Sequence, residues 1–291
     1  MVAKSFMSPK YAAIVVNADT QKILYSQSAL EPRHPASLTK IMTLYIVFDA
    51  IKGGKLNPMK PIAISTKAAK QPRSNLALKA GTIITVRDAI MGAIIKSGND
   101  ATVALAEVLA GSEENFVKIM NRKAKELGMM NTVFQNSTGL PHPRQVTTAK
   151  DMAILALSML KHHKSTYHVF SKQAFLLGEK MVLTHNKLLA SHKWVDGMKT
   201  GFTNASGYNV ITTAIKDDVR LIGVVMGCNS SSERDSKMLK LLESHYATGA
   251  KNIVGDLIFA KKQQISITNK SNIDRKDPFS VISIASASSS K

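Results

Sequence analysis

A pair of β-prone segments stands at each end of this chain, and most of what lies between them is patterned as helix. Tyr11–Val16 and Lys22–Ser26 flank Asn17-Ala18-Asp19-Thr20 and read as an antiparallel hairpin. Far downstream, Tyr208–Ile215 and Val219–Met226 form a second pair that turns at Lys216-Asp217-Asp218. In between, Ser37–Ile51, Val86–Ala110, Glu113–Leu127 and Thr148–Leu160 carry apolar residues at three- and four-residue spacing. This order predicts an α/β fold with one antiparallel sheet, formed by the N- and C-terminal strands, and a helical subdomain between them.

Composition narrows the class further. With 44% hydrophobic and 20% charged residues in 291, the chain has the apolar content for a large core, which excludes disorder of the whole. Its apolar runs, such as Leu44–Phe48, are far shorter than the ~18 residues of a spanning helix, so no transmembrane segment is expected. After Ala247 the pattern weakens to one mildly apolar stretch, Ile253–Ala260, and ends in the Ser- and Ala-rich Ser283–Lys291. A folded domain over residues 8–249 and a largely disordered extension over 250–291 are expected. The balance of 39 Lys and Arg against 20 Asp and Glu gives +19, which favours polyanions in general. The bases are scattered and no RNA-binding or zinc-finger motif accompanies them, so no specific nucleic-acid site is expected. The one cysteine, Cys228, ends an apolar run and reads as a buried structural thiol.

Three short patterns carry chemistry. Ser37-Leu38-Thr39-Lys40 opens a strongly apolar helix, which puts both functional side chains on one face. A serine hydroxyl needs a base to become a nucleophile, and a lysine serves when burial, neighbouring cations or a helix start lowers its pKa. The same spacing recurs at Ser158–Lys161 and Ser288–Lys291, so alone it is weak. Ser97-Gly98-Asn99 sits at a break before Ala101–Ala110, where an ordinary helix cap would serve equally well. Lys199-Thr200-Gly201 precedes the last strand pair, where a turn with a solvated lysine is the plain alternative.

In this order the three patterns are those of penicillin-binding proteins and serine β-lactamases. Longer segments sharpen the resemblance: Pro35–Lys40 (PASLTK), Asn136–Pro141 (NSTGLP), Thr184–Leu189 (THNKLL) and Asp196–Tyr208 (DGMKTGFTNASGY). Over about Tyr11 to Ala247, the chain resembles the low-molecular-weight D-alanyl-D-alanine carboxypeptidases, the S11 serine peptidases. The resemblance implies the DD-peptidase-like fold and removal of the terminal D-Ala from peptidoglycan stem peptides through an acyl-enzyme. Carried over, Ser37 is the nucleophile, Lys40 its base and Ser97 a proton shuttle to the leaving amine. Asn99 would bind the substrate peptide and position Lys40. Lys199 and Thr200 would hold the terminal carboxylate, and Gly201 would let the strand edge approach the substrate. The oxyanion would be held by the N–H groups of Ser37 and Phe202. The partners implied are a stem peptide ending in D-Ala-D-Ala and β-lactam antibiotics as acylating inhibitors, with no metal and no organic cofactor.

Departures from the pattern concern specificity. Phe202 follows Lys-Thr-Gly where some relatives carry a polar residue, and His185 stands where some carry Arg. A D,D-endopeptidase or a weak serine β-lactamase of the same fold are the nearest alternatives, though no Glu-x-x-Leu-Asn pattern supports strong β-lactamase activity. A basic, non-catalytic binder of nucleic acid or wall polymer would not explain three intact motifs. With no His-Glu-x-x-His present, a metallohydrolase has little support, and His162-His163 reads as a solvated helix end. Met1–Lys10 lacks the apolar core of a signal peptide. Since the implied substrate lies outside the membrane, a periplasmic or otherwise extracytoplasmic location is expected, with the signal omitted from this sequence. Without room for both a further β-domain and a membrane anchor in Gly249–Lys291, a soluble or peripherally held catalytic domain is expected.

Overall fold

The computed structural model describes residues 11–247 and Phe279. In chain order, β1 (Ala12–Asn17) and β2 (Ile23–Gln27) lead into α1 (Lys40–Lys52), followed by β3 (Pro61–Ala63), α2 (Thr66–Ala69) and β4 (Ile83–Thr85). The helical body continues with α3 (Val86–Met91), α4 (Asn99–Ala110), α5 (Glu113–Glu126) and α6 (Ala149–His162). A hairpin of β5 (Ala174–Leu177) and β6 (Lys180–Leu183) and the short α7 (Lys187–Ser191) then lead back to the sheet. The sheet is completed by β7 (Val195–Thr203), β8 (Gly207–Lys216) and β9 (Val219–Cys228), and α8 (Ser231–Ala247) follows.

The five-stranded sheet has the order β2-β1-β9-β8-β7 with every pair antiparallel, so the N-terminal hairpin docks on the C-terminal strands as expected. β1 is buried along its whole length, and its alternate residues serve two cores. Ala12, Ile14 and Val16 face the helical body, whereas Ala13 and Val15 join Val210, Val225, Met238 and Leu242 under α8. A strand covered on both faces reads as a continuous apolar run, which is the pattern of AAIVV. The turn between β8 and β9 has positive φ at both Asp217 (51°) and Asp218 (58°), the geometry whose twist matches a two-residue hairpin. The first hairpin is tightened by Asn17, whose Oδ1 accepts from the Asp19 and Thr20 amides at 3.0 and 2.9 Å.

Three expectations need correction. The break expected before Ala101 is wider than its sequence suggests: after α3 comes a π-type turn at Gly92–Lys96, then Ser97 in the left-handed region (φ 59°), and α4 begins at Asn99. Ser37 precedes the α-helix, in a tighter 3₁₀ turn over Ala36–Thr39. His163 is not solvated: it is 2% exposed, its Nε2 lies 3.2 Å from Asp49 Oδ1, and its ring packs edge-on against Tyr45. His162 Nδ1 pairs with the Tyr45 hydroxyl at 2.6 Å. Burial of an imidazole is supported there by a carboxylate partner. The expected thiol burial holds, with Cys228 1% exposed and its pKa pushed up to about 11 chiefly by desolvation. The extension lies outside the described residues except for Phe279, whose ring is buried against Phe48.

Candidate active site

The helical body meets the outer edge of β7 in an open cleft of about 1050 Å³, lined by Ser37, Ser97, Asn99 and Thr200–Thr203 among others. Every predicted site residue lines this cleft or lies just beneath it. Three covalently distant segments build the surroundings of Ser37.

Ser37 is held by the turn it sits in. Ala36 has φ +49°, a left-handed conformation costing an alanine about 1–3 kcal/mol. Two glycines keep that turn in place. Gly201 on β7 leaves no room for a side chain, since a Cβ there would lie 2.9 Å from the Ser37 nitrogen. Gly139, at φ +88°, presses on the Ala36 carbonyl so closely that a Cβ would collide with it. The close approach made possible by Gly201 is therefore to the Ser37 backbone. On β8, the buried Asn209 donates through Nδ2 to the carbonyls of His34 (3.0 Å) and Pro35 (3.3 Å) and accepts from Gly227 N at 2.9 Å. It thereby ties the residues before Ser37 to the sheet.

Lys40 opens α1 and is 0% exposed. Its Nζ lies 3.1 Å from Ser37 Oγ, 2.7 Å from Asn99 Oδ1 and 2.6 Å from the Thr138 carbonyl oxygen. Desolvation first, and the charge of Lys199 second, hold its pKa well below the ordinary lysine range, while Asp100 opposes them. The three neighbours suit a neutral amine. Two are fixed acceptors that take its two N–H bonds, and the third is a hydroxyl that can donate to its lone pair. Asn99 cannot swing away easily, because Nδ2 donates to the Pro72 carbonyl at 2.9 Å and its backbone N to Ser74 O at 2.7 Å.

The Thr138 carbonyl belongs to the Asn136–Gly139 segment, singled out in the sequence only as part of a resemblance. Glu113 at the start of α5 accepts from both Ser137 N (2.9 Å) and Ser137 Oγ (2.6 Å), and Thr43 Oγ1 donates to Ser137 O at 2.8 Å. Ser97, which links the π-type turn to α4, is buried with its Oγ unpartnered among the described residues. A left-handed residue costs conformational energy, and here it places a free hydroxyl at the cleft wall.

Lys199 is on a strand, not in a solvated turn, and is 2% exposed. Its Nζ donates to the Thr200 carbonyl at 3.0 Å, one layer behind the cleft surface. Desolvation, then the charge of Arg234, lowers its pKa to about 7. Arg234 on α8 was not foreseen from sequence. It is buried, paired with Asp235 at 2.8 Å, and lines the cleft beside Thr200 and Gly201. A polar helix beyond the last recognised motif offers no pattern from which to assign it. His185 also lines the cleft, and desolvation followed by Lys96 and Lys199 lowers its pKa. Phe202 is 48% exposed and stacks on Tyr208 at 4.3 Å between ring centroids.

A serine on a strained turn, a buried lysine with a lowered pKa and a strand edge unpaired among the described residues meet in one cleft, an arrangement suited to acyl transfer through the serine. The model of the D-alanyl-D-alanine carboxypeptidase family, Peptidase_S11, matches residues 7–230, and the chain belongs to that family. It is 39% identical over 244 residues to the D-alanyl-D-alanine carboxypeptidase DacF of Bacillus subtilis, covering 81% of this chain and 63% of the relative. Penicillin-binding protein 5 of Haemophilus influenzae superposes with a TM-score of 0.79 at 34% identity, over 85% of this chain and 73% of that one. Penicillin-binding protein D2 of Listeria monocytogenes, crystallised in an ampicillin-bound form, gives a TM-score of 0.72 at 30% identity, over 82% and 98%. The DD-peptidase fold expected from sequence is thus the observed one. The chain spans about three-fifths of the length of the curated relatives it matches. No helix among the described residues is long and apolar enough to cross a membrane.

Proposed function

We propose that this chain is a serine-type D-Ala-D-Ala carboxypeptidase that trims the terminal D-Ala from peptidoglycan stem peptides and is acylated by β-lactams at the same serine. The observation that carries this reading is the fully buried Lys40 amine, 3.1 Å from Ser37 Oγ and held by Asn99 Oδ1 and the Thr138 carbonyl.

The substrate lies extended along the β7 edge, gaining main-chain hydrogen bonds by strand addition. Thr200, Lys199 and Arg234 attract its terminal carboxylate. Ser37 Oγ attacks the carbonyl of the penultimate D-Ala while Lys40 Nζ takes the hydroxyl proton. The N–H groups of Ser37 and Phe202 hold the oxyanion. The C–N bond then breaks, and the proton passes through Ser97 to the departing amine, leaving an ester on Ser37. Water attacks that ester, with Lys40 again accepting a proton, and the shortened peptide leaves as its carboxylate. The steps are proton and acyl transfers with no net oxidation, so no redox cofactor enters. The substrate class places the site of action outside the cytoplasmic membrane, an assignment supported by family membership.

The test is the intact mass of the protein after brief incubation with a penicillin, beside Ser37→Ala, together with D-Ala release from an N-acylated peptide ending in D-Ala-D-Ala. A single adduct and D-Ala release, both absent in the variant, are expected. Rapid drug hydrolysis without an adduct would make the protein a β-lactamase. Cleavage confined to a cross-linked dimer would make it an endopeptidase.

A further inference from the structure

The open cleft has a one-sided charge. Arg73, Lys96, Lys180, His185, Lys187 and Arg234 line it, and no Asp or Glu does. Two other surface cavities differ. The groove along α8 includes Asp235 and Glu243, and the one beneath the start of β7 includes Asp19 and Asp196. Arg234 is offset by Asp235, and Glu179 neighbours Lys180 in the hairpin turn, yet neither carboxylate faces the cleft. Among the described residues, Arg73, Lys96, Lys180 and Lys187 take part in no ion pair.

One terminal carboxylate does not account for so many cations. Lys199 and Arg234, behind and beside Thr200, already supply its charge. Like charges gathered in one cleft repel one another and destabilise the compact state. That arrangement is understandable where the ligand brings the missing anions. Arg73 and Lys96 lie by Asn99 rather than by the carboxylate anchor: Ser74 Oγ donates to Lys96 O at 2.7 Å, and Asn99 Nδ2 to Pro72 O. Lys180 stands on the β5–β6 hairpin, whose β6 lines the cleft from Lys180 to Leu183.

We infer that the cleft selects stem peptides bearing free carboxylates on the residues before D-Ala-D-Ala and discriminates against their amidated forms, with Arg73, Lys96 and Lys180 as specificity-determining cations. This rests on the carboxypeptidase reading. The arrangement raises the encounter rate and lowers KM for the acidic peptide without altering the acyl-transfer steps.

Two pentapeptides ending in D-Ala-D-Ala test the inference, identical except for free carboxylates or carboxamides at the second and third positions. The readout is the ratio of their kcat/KM values in the full-length protein. A ratio of about tenfold favouring the acid is expected at low ionic strength, falling towards about twofold at 0.3 M salt as the charges are screened. The double variant Arg73→Gln/Lys180→Gln, both sites exposed, brings the ratio towards one, and Lys180→Glu inverts it. A parent ratio of one or below, with D-Ala released from both peptides, overturns the inference and leaves the carboxypeptidase reading intact. A parent preference unaltered by all of these substitutions overturns the assignment to these side chains. Release from neither peptide overturns both readings.

Discussion

The two walls of the cleft solve opposite problems. The helical wall is held by hydrogen bonds at Lys40, Asn99, Thr138 and Ser137, each of them buried, and leaves the Ser97 hydroxyl free among the described residues. The strand wall is left open, because among the described residues β7 is an edge strand with a partner only on the β8 side. An exposed edge is ordinarily an aggregation hazard. Here the helical body stands over it, so the free backbone groups face a cleft. Under the proposed mechanism, chemistry sits where nothing needs to move, and recognition sits where a chain can be added. Substitutions on the first wall are expected to act on acylation, and those on the second on KM.

The sharpest way to break that division is Lys40→Ala. It removes the base and leaves the Asn99 and Thr138 oxygens without their donor, and acylation of Ser37 is expected to fall by about 10³-fold or more. Rapid-quench mass spectrometry of the penicillin adduct reads this directly. Next comes Gly139→Ala, which puts a methyl group into the Ala36 carbonyl at a positive-φ position. A loss of about 2–4 kcal/mol in urea unfolding is expected, with slower acylation from a displaced Ser37. Asn209→Ala tests whether the sheet holds the nucleophile's turn. It strands two carbonyls and one amide, for a loss of about 2–3 kcal/mol by the same measurement.

The strand wall yields effects spread over pH and on binding. Lys199 has its folded pKa lowered to about 7, so between there and the ordinary lysine range near 10.4 the unfolded chain holds a proton the folded one lacks. Stability contributed by this group therefore rises with pH across that window, by at most about 1.4 kcal/mol per unit. Below about pH 7 both states hold the proton and the slope vanishes. Lys199→Met should flatten the rise in urea titrations from pH 7 to 10, and an unchanged slope would mean the lysine is not desolvated as described. The smallest expected effect is that of Phe202→Ala. Its half-exposed ring stacks, among the described residues, only on Tyr208, so KM should rise about threefold, with kcat and the unfolding midpoint nearly constant.

The same division governs how much could be read beforehand. The two outer strand pairs, α5 and α6 follow from local alternation and periodicity and appear within a residue or two of their expected limits, whereas β3 to β7, α2, α7 and α8 were not read from the sequence. The three candidate motifs were legible through the family resemblance that short segments carry: Ser37 and Lys40 three residues apart, Ser97 and Asn99 across a break, and Lys199–Gly201 before the last strand pair. What escaped depends on contacts between distant segments. Thr138 contributes a backbone carbonyl, which any residue could supply, and Arg234 acquires its place from α8 packing on β9. The π-type turn before Ser97 escaped because Gly92–Lys96 carries the same apolar spacing as the helices beside it. His163 was misjudged because its flanking lysines suggest solvent, whereas Asp49 and Tyr45 of α1 bury it.

The central claim is that Lys40 is neutral in the resting protein and receives the Ser37 proton. Its most direct test is the second-order rate of penicillin acylation measured across pH, in the parent protein and in Lys40→Ala checked for a native unfolding transition. The mechanism predicts that the parent's rate climbs along an acid limb well below the ordinary lysine range, and that the variant forms no adduct on the same timescale. Normal acylation by the folded variant, or a parent rate that climbs only near pH 10, would contradict it.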